Sequence, residues 1–137
     1  GKLWTREGEV FELMDLTDIR SVNLITDVYG VLSYAKDLHQ ALQKTFQLMA
    51  VEGVLFLKTE SNRTQFQKKD PQSVIDFEKF LRSIPGLEVE GQFGILKIRK
   101  KAEKVEVPLF RLRRYDPQGF PAYRSYELIS SSSFLEN

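Results

Sequence analysis

The stretch from Val22 to Leu57 constrains the fold more than any other part of the sequence. Val22, Leu24, Ile25 and Thr26 form a short apolar run that stops at Asp27, with the length and flanks of a buried strand. A loop carrying Tyr29, Gly30, Ser33 and Tyr34 follows. Asp37 is placed to cap a helix, and Gln40 three residues on completes a capping-box spacing. Leu38, Ala41, Leu42, Thr45, Leu48 and Met49 then recur at helical spacing on one face. Gly53 ends that element, and Val54 to Leu57 reads as a second buried strand. Two apolar strands joined through one amphipathic helix are the mark of a parallel pair with a crossover connection.

The flanking sequence extends this pattern. Val10, Phe11, Leu13 and Met14 form an earlier apolar run that stops at Asp15. Downstream, Asp70-Pro71 has the form of an N-cap followed by proline in the first turn. Val74, Phe77, Leu81 and Ile84 would give that helix its apolar stripe, and Pro85-Gly86 would stop it. Leu87 to Glu90 alternates as a half-buried strand does, Gly91-Gln92 resembles a turn, and Phe93 to Ile98 makes a hairpin partner. The expected fold is α/β, with a mostly parallel sheet and an antiparallel closing hairpin, over residues 1–100. From about Lys97 the composition turns basic, with Arg111, Arg113 and Arg114 interleaved with Leu109 and Leu112. Residues 101–137 are therefore expected to be a basic, extended C-terminal tail crossing the surface.

Composition excludes more than it selects. The 137 residues hold 20 Lys and Arg against 19 Asp and Glu, a net charge of +1 that points to no polyanion partner for the chain as a whole. The basic tail reads as an edge strand protected by its charges, in preference to a nucleic-acid patch, because those charges alternate with apolar residues and match no recognised motif. There is no cysteine, which excludes disulfides and thiolate metal sites and fits a reducing compartment. No apolar run approaches the roughly 18 residues of a membrane helix, and no secretory pattern opens the chain. A cytoplasmic domain without membrane contact is expected. His39, the only histidine, falls in the first turn of the expected helix, and it is expected to be exposed because neither a catalytic triad nor a histidine metal cluster can be built around it. No phosphate-loop or dinucleotide fingerprint occurs. Ligands of open α/β sheets bind at the carboxyl ends of the strands. Those ends carry Asp15, then Asp27 with Tyr29 and Tyr34, then Lys58, Thr59 and Glu60.

The segment Asn23 to Lys58 resembles the middle of a class I, Rossmann-like S-adenosylmethionine-dependent methyltransferase. Leu24-Ile25-Thr26-Asp27 is similar to the D-L-I-x-D pattern of that family's fourth strand, and Tyr29 to Tyr34 to its substrate-facing loop. Leu48 to Gly53 resembles its L-K-P-G-G turn, with Val51 and Glu52 in place of proline and the first glycine, and Val54 to Leu57 resembles its fifth strand. The next helix and the hairpin fit the sixth and seventh strands, the seventh being antiparallel. The likeness spans roughly residues 9 to 99.

This resemblance implies a transferase that moves a methyl group to an acceptor the sequence does not name. Asp15 would touch the adenine amino group and Leu16 would lie beside the adenine ring. Asp27 and Val28 would sit near the methionine part of the cofactor, with Tyr29, and more weakly Tyr34, on the substrate side. Catalysis would consist mainly of positioning, with no nucleophile needed. The family's first strand and glycine-rich loop have no counterpart before Asp15, so the chain alone is expected to bind S-adenosylmethionine weakly or not at all. The missing strand would leave the edge of residues 22–27 open, which implies a homodimer through that edge. Two other readings stand beside this one: a non-catalytic dimerisation or interaction module derived from the same fold, and an unrelated α/β domain whose basic tail contacts nucleic acid.

Overall fold

The computed structural model describes residues 21–69, 72–119 and 121–129. The expected strand around residues 10–14, with Asp15 and Leu16, and the Asp70-Pro71 cap lie outside these residues. The rest forms two four-stranded mixed sheets with three short helices.

The first sheet has the order β1-β2-β6-β5, built from β1 (Val22–Val28), β2 (Met49–Lys58), β5 (Leu87–Gln92) and β6 (Ile95–Lys100). β1 and β2 are parallel, with Ile25 opposite Leu55 and Asp27 opposite Leu57. The chain passes between them through a one-turn helix α1 (Val31–Tyr34) and the longer α2 (Leu38–Leu48). Asp37 caps α2 as its sequence implied, its Oδ1 accepting from the Gln40 N–H at 3.2 Å. β6 is antiparallel to both neighbours, so β1, β2 and β5 run in one direction and the closing hairpin reverses it.

A wide bulge separates the two halves of the β1–β2 register, and Gly53 sits in it. A Cβ at this glycine would stand 2.8 Å from the Ala50 carbonyl oxygen and 2.9 Å from that of Val22. Any larger residue would push the strands apart, which explains why glycine follows the helix here.

The second sheet was not legible in the sequence. Its order is β4-β3-β8-β7, from β3 (Thr64–Lys69), β4 (Gln72–Asp76), β7 (Phe110–Asp116) and β8 (Tyr123–Leu128). Two expectations are corrected by it. The helix expected from residue 70 is only α3 (Phe77–Arg82), capped by Asp76, whose Oδ1 accepts from the Lys79 N–H at 2.9 Å. Residues 72–76 pair with β3 instead, because Ile75 opposite Phe66 completes a cross-strand apolar contact that a helix would forgo. The described part of the 101–137 segment is not a surface-crossing strand either. It folds into the β7–β8 hairpin and sends Val105, Val107, Phe110 and Tyr126 into the same buried cluster as Leu42, Phe46, Leu55 and Ile98. Burial of those apolar side chains drives the folding of the segment, while Arg111, Arg113 and Arg114 stay exposed.

A buried cation and a buried phenol satisfy carbonyls around α2. The Lys100 Nζ donates to the carbonyls of Phe46 (2.8 Å) and Met49 (2.9 Å) at the end of α2, and burial lowers its pKa. Tyr126 is nearly inaccessible, donates to the Lys36 carbonyl at 2.9 Å, and has its pKa pushed up to about 12 by burial. A phenol whose pKa is raised in the folded state keeps its stabilising contribution below the unfolded value near 10 and loses it as pH climbs through 12. We expect about 2–3 kcal/mol of stability to disappear across that interval. In Tyr126→Phe, which forgoes a hydrogen bond at neutral pH, this loss should be missing. Denaturant midpoints of the two proteins should therefore converge above pH 11, while a constant difference would mean the phenol does not titrate with folding. The Lys100 effect is common to both proteins and cancels in the comparison.

Candidate functional site

The carboxyl ends of β1 and β2 and the β5–β6 turn meet in one rim. Asp27 lies near the end of β1, a strand whose residues are half-buried or exposed, and both of its carboxylate oxygens accept backbone N–H groups of the following loop: Oδ1 from Gly30 at 3.0 Å and Oδ2 from Leu32 at 3.1 Å. The aspartate thus holds the first turn of α1 in place, an anion at the start of a helix. Tyr29 adopts a left-handed backbone (φ 46°), and its N–H donates to the Lys58 carbonyl at 2.8 Å, continuing the β1–β2 ladder one step beyond the strand. Its hydroxyl reaches Glu60 Oε1 at 3.4 Å, and the Lys58 ammonium stands 5.8 Å from its ring centre. Desolvation, with the Glu60 carboxylate adding to it, raises the Tyr29 pKa, so its hydroxyl is a proton donor at neutral pH.

Behind these groups the rim is tied down. Ser33 Oγ and Thr59 Oγ1 share a buried hydrogen bond of 2.8 Å, and the Thr59 N–H donates to the Gly94 carbonyl at 2.8 Å. Gly94 has φ 75°, and a Cβ there would run into the Thr59 carbonyl, so the β5–β6 turn can approach the end of β2 only with glycine. Below this layer lies Arg124 of β8, wholly buried. Its guanidinium donates to the carbonyls of Leu32 (2.6 Å) and Ala35 (2.7 Å) and to Thr64 Oγ1 (2.8 Å). It closes the carboxyl end of α1 and joins the rim to the second sheet; burial lowers its pKa.

Asp27, Val28, Tyr29 and Tyr34 therefore share one edge: Val28 projects into solvent (65% exposed), and Tyr34 ends α1. Asp15 and Leu16 lie outside the described residues. Ser33 and Thr59 were legible as polar groups of the loop and of a strand end, but Arg124 carried no signal in the sequence. An arginine in an alternating basic segment carries no local mark that separates it from its exposed neighbours. His39 also departs from expectation. It is half-buried, with Nε2 at 3.0 Å from the Val107 carbonyl and its ring edge-on to Phe110 at 5.3 Å. The apolar neighbours of the C-terminal segment cover a face the sequence left open.

Among the described residues no group of three or more His, Asp or Glu could hold a metal ion, and no helix is long and apolar enough to cross a membrane. Two concavities lie away from the rim. One, of about 490 Å³, is lined by Asp37, His39, Phe110 and Tyr126, and the other, of about 470 Å³, lies on the outer face of the second sheet. The rim offers hydrogen-bonding and aromatic groups in fixed positions, an arrangement suited to orienting a ligand. No family model matches this chain, and no curated protein or solved structure matches it.

Proposed function

We propose that this chain is the C-terminal half of a class I S-adenosylmethionine-dependent methyltransferase fold and supplies the acceptor-side rim of the parent enzyme. The observation that carries this reading is the order and direction of the first sheet. A parallel β1–β2 pair is linked through α2, and a closing β5–β6 hairpin follows whose second strand is antiparallel. The resemblance calls for those elements in that order. The resemblance assigns Asp27 to the cofactor side and Tyr29 and Tyr34 to the substrate side, and in this reading the Tyr29 hydroxyl with Glu60 would orient an acceptor.

The described residues do not by themselves fit the cofactor. Both oxygens of Asp27 are already engaged by Gly30 and Leu32, and Val28 faces solvent. Calorimetric titration of the chain with S-adenosylmethionine should therefore show no micromolar binding. The test is to express the reading frame extended upstream of Lys2 and to repeat the titration beside a methyl-transfer assay. Micromolar affinity gained through an added strand and glycine-rich loop supports the proposal. An extension that lacks them, or a tight complex with the chain alone, overturns it.

The interaction-module alternative rests on the edge of β1, which among the described residues is hydrogen-bonded only to β2. Leu24 (57% exposed) and Val28 flank that edge on the outer face, beside the exposed Phe56 of β2. Such an edge recruits another strand. We expect a homodimer in light scattering, abolished by Thr26→Pro, whose missing donor blocks edge pairing. A monomer at micromolar concentration excludes this assembly.

A further inference from the structure

The charges of the basic segment are segregated in a way their alternation in sequence conceals. β7 and β8 lie beside β3, so Arg113 and Arg114 gather with Lys68 and Lys69 around one concavity and its margin on the second sheet. Lys69 and Arg111 both close on Glu127, at 2.6 and 3.2 Å, which neutralises the carboxylate at the centre of the face. Lys68, Arg113 and Arg114 stand in no ion pair among the described residues. Between the cations run polar groups, Gln67 and Gln72 in the concavity and Gln65 beside it. The Tyr123 hydroxyl donates to Gln65 Oε1 at 3.2 Å, and its ring is approached by the guanidinium groups of Arg63 and Arg114 at 5.5 and 5.7 Å.

We infer that this face binds single-stranded nucleic acid. Cations spaced along adjacent strands suit successive phosphates, glutamine amides can donate to and accept from base edges, and the exposed Arg114 guanidinium held over the Tyr123 ring offers a plane on which a base can stack. A lipid surface fits less well, because among the described residues Val74 is the one large apolar side chain exposed on the face and little could insert among acyl chains. A duplex fits less well too. A four-stranded sheet face is broader than the helix or two-stranded ribbon that a major groove admits, whereas single strands present unstacked bases to a sheet. The inference is independent of the methyltransferase reading.

The test is fluorescence anisotropy of labelled oligo(dT) and oligo(U) with the whole chain, beside a duplex of equal length and phosphatidylserine-containing vesicles. With three cations available to phosphates, the logarithm of affinity should fall against the logarithm of salt with a slope of about −2, or about 15-fold between 50 and 200 mM. Arg113→Gln/Arg114→Gln should weaken binding at least tenfold and flatten that slope. Both side chains are exposed, so circular dichroism should show the fold intact. A Lys replacement at both positions should retain most of the affinity. Absence of binding at 50 mM salt, an unchanged affinity in the glutamine variant, or equal binding to the duplex or the vesicles would overturn the inference.

Discussion

Replacing Arg124 by alanine should cost about 3–5 kcal/mol and lower the melting temperature by roughly 10 °C or more. The side chain is inaccessible to solvent and donates to three acceptors that have no water to turn to: the Leu32 and Ala35 carbonyls and the Thr64 hydroxyl. Each acceptor left unsatisfied costs about 1–3 kcal/mol, and the vacated volume adds to that. Against this stands the relief of no longer holding a cation in a dry interior, the same desolvation that lowers its pKa. The methionine variant separates these contributions, since it fills the space without donating. If Arg124→Met is as stable as the wild type in urea, the hydrogen bonds do not hold the site together and the account fails. Arg124→Lys should fall between, because one ammonium cannot reach all three acceptors in the guanidinium's fixed fork. The effect should also be local: amide exchange in Leu32 to Ala35 should accelerate more than in β6, since the arginine is what closes α1.

Arg124 also shows where the sequence stops being readable. The β1–α2–β2 unit could be read because its signals are local: an apolar run ending at Asp27, a cap at Asp37, a stripe from Leu38 to Leu48, a run from Val54. The β5–β6 hairpin was equally plain, although its tight turn lies at Phe93-Gly94 and not at Gly91-Gln92. The second sheet has no such signals. Within Thr64–Lys69 a single side chain, Phe66, is large and apolar, and its strand pairs with residues far along the chain, Gln65 with Ser125 and Phe66 with Tyr126. Pairing across such a distance leaves no periodicity in either segment. Val74, Phe77, Leu81 and Ile84 were read as one helical stripe, yet Val74 faces solvent from β4 while the other three are buried on or just beyond α3. A helical period over so few residues cannot distinguish a strand that runs straight into a helix from one longer helix. For the site, the carboxylate and tyrosines of the rim were visible from the ends of strands. Arg124, which joins the rim to the second sheet, was as hidden as that sheet was.

The other large effect is expected at Phe66, because it is the one large apolar side chain that β3 sends into the core. Its ring is stacked on Phe80 of α3 at 4.0 Å with only 9° between the planes, lies 5.5 Å from Tyr126 of β8, and meets Phe110 of β7 edge-on at 5.0 Å. Offset and edge-on pairs of this kind contribute beyond their buried area. Phe66→Ala should therefore cost about 3–5 kcal/mol, through lost apolar burial and a cavity that three neighbouring rings can only partly close. Phe66→Leu, which keeps most of the volume and loses the ring contacts, should cost less than half as much. Phe93 provides the contrast within the same protein: it is 89% exposed at the tip of the β5–β6 turn, and its replacement by alanine should change stability by no more than about 0.5 kcal/mol. Urea titrations of the three variants decide the matter. If Phe66→Ala unfolds within 1 kcal/mol of Phe93→Ala, the second sheet is not built on this aromatic cluster. If it shows the expected loss with an unchanged denaturant slope, both sheets unfold together, and the rim at one end and the cationic face at the other depend on a common core.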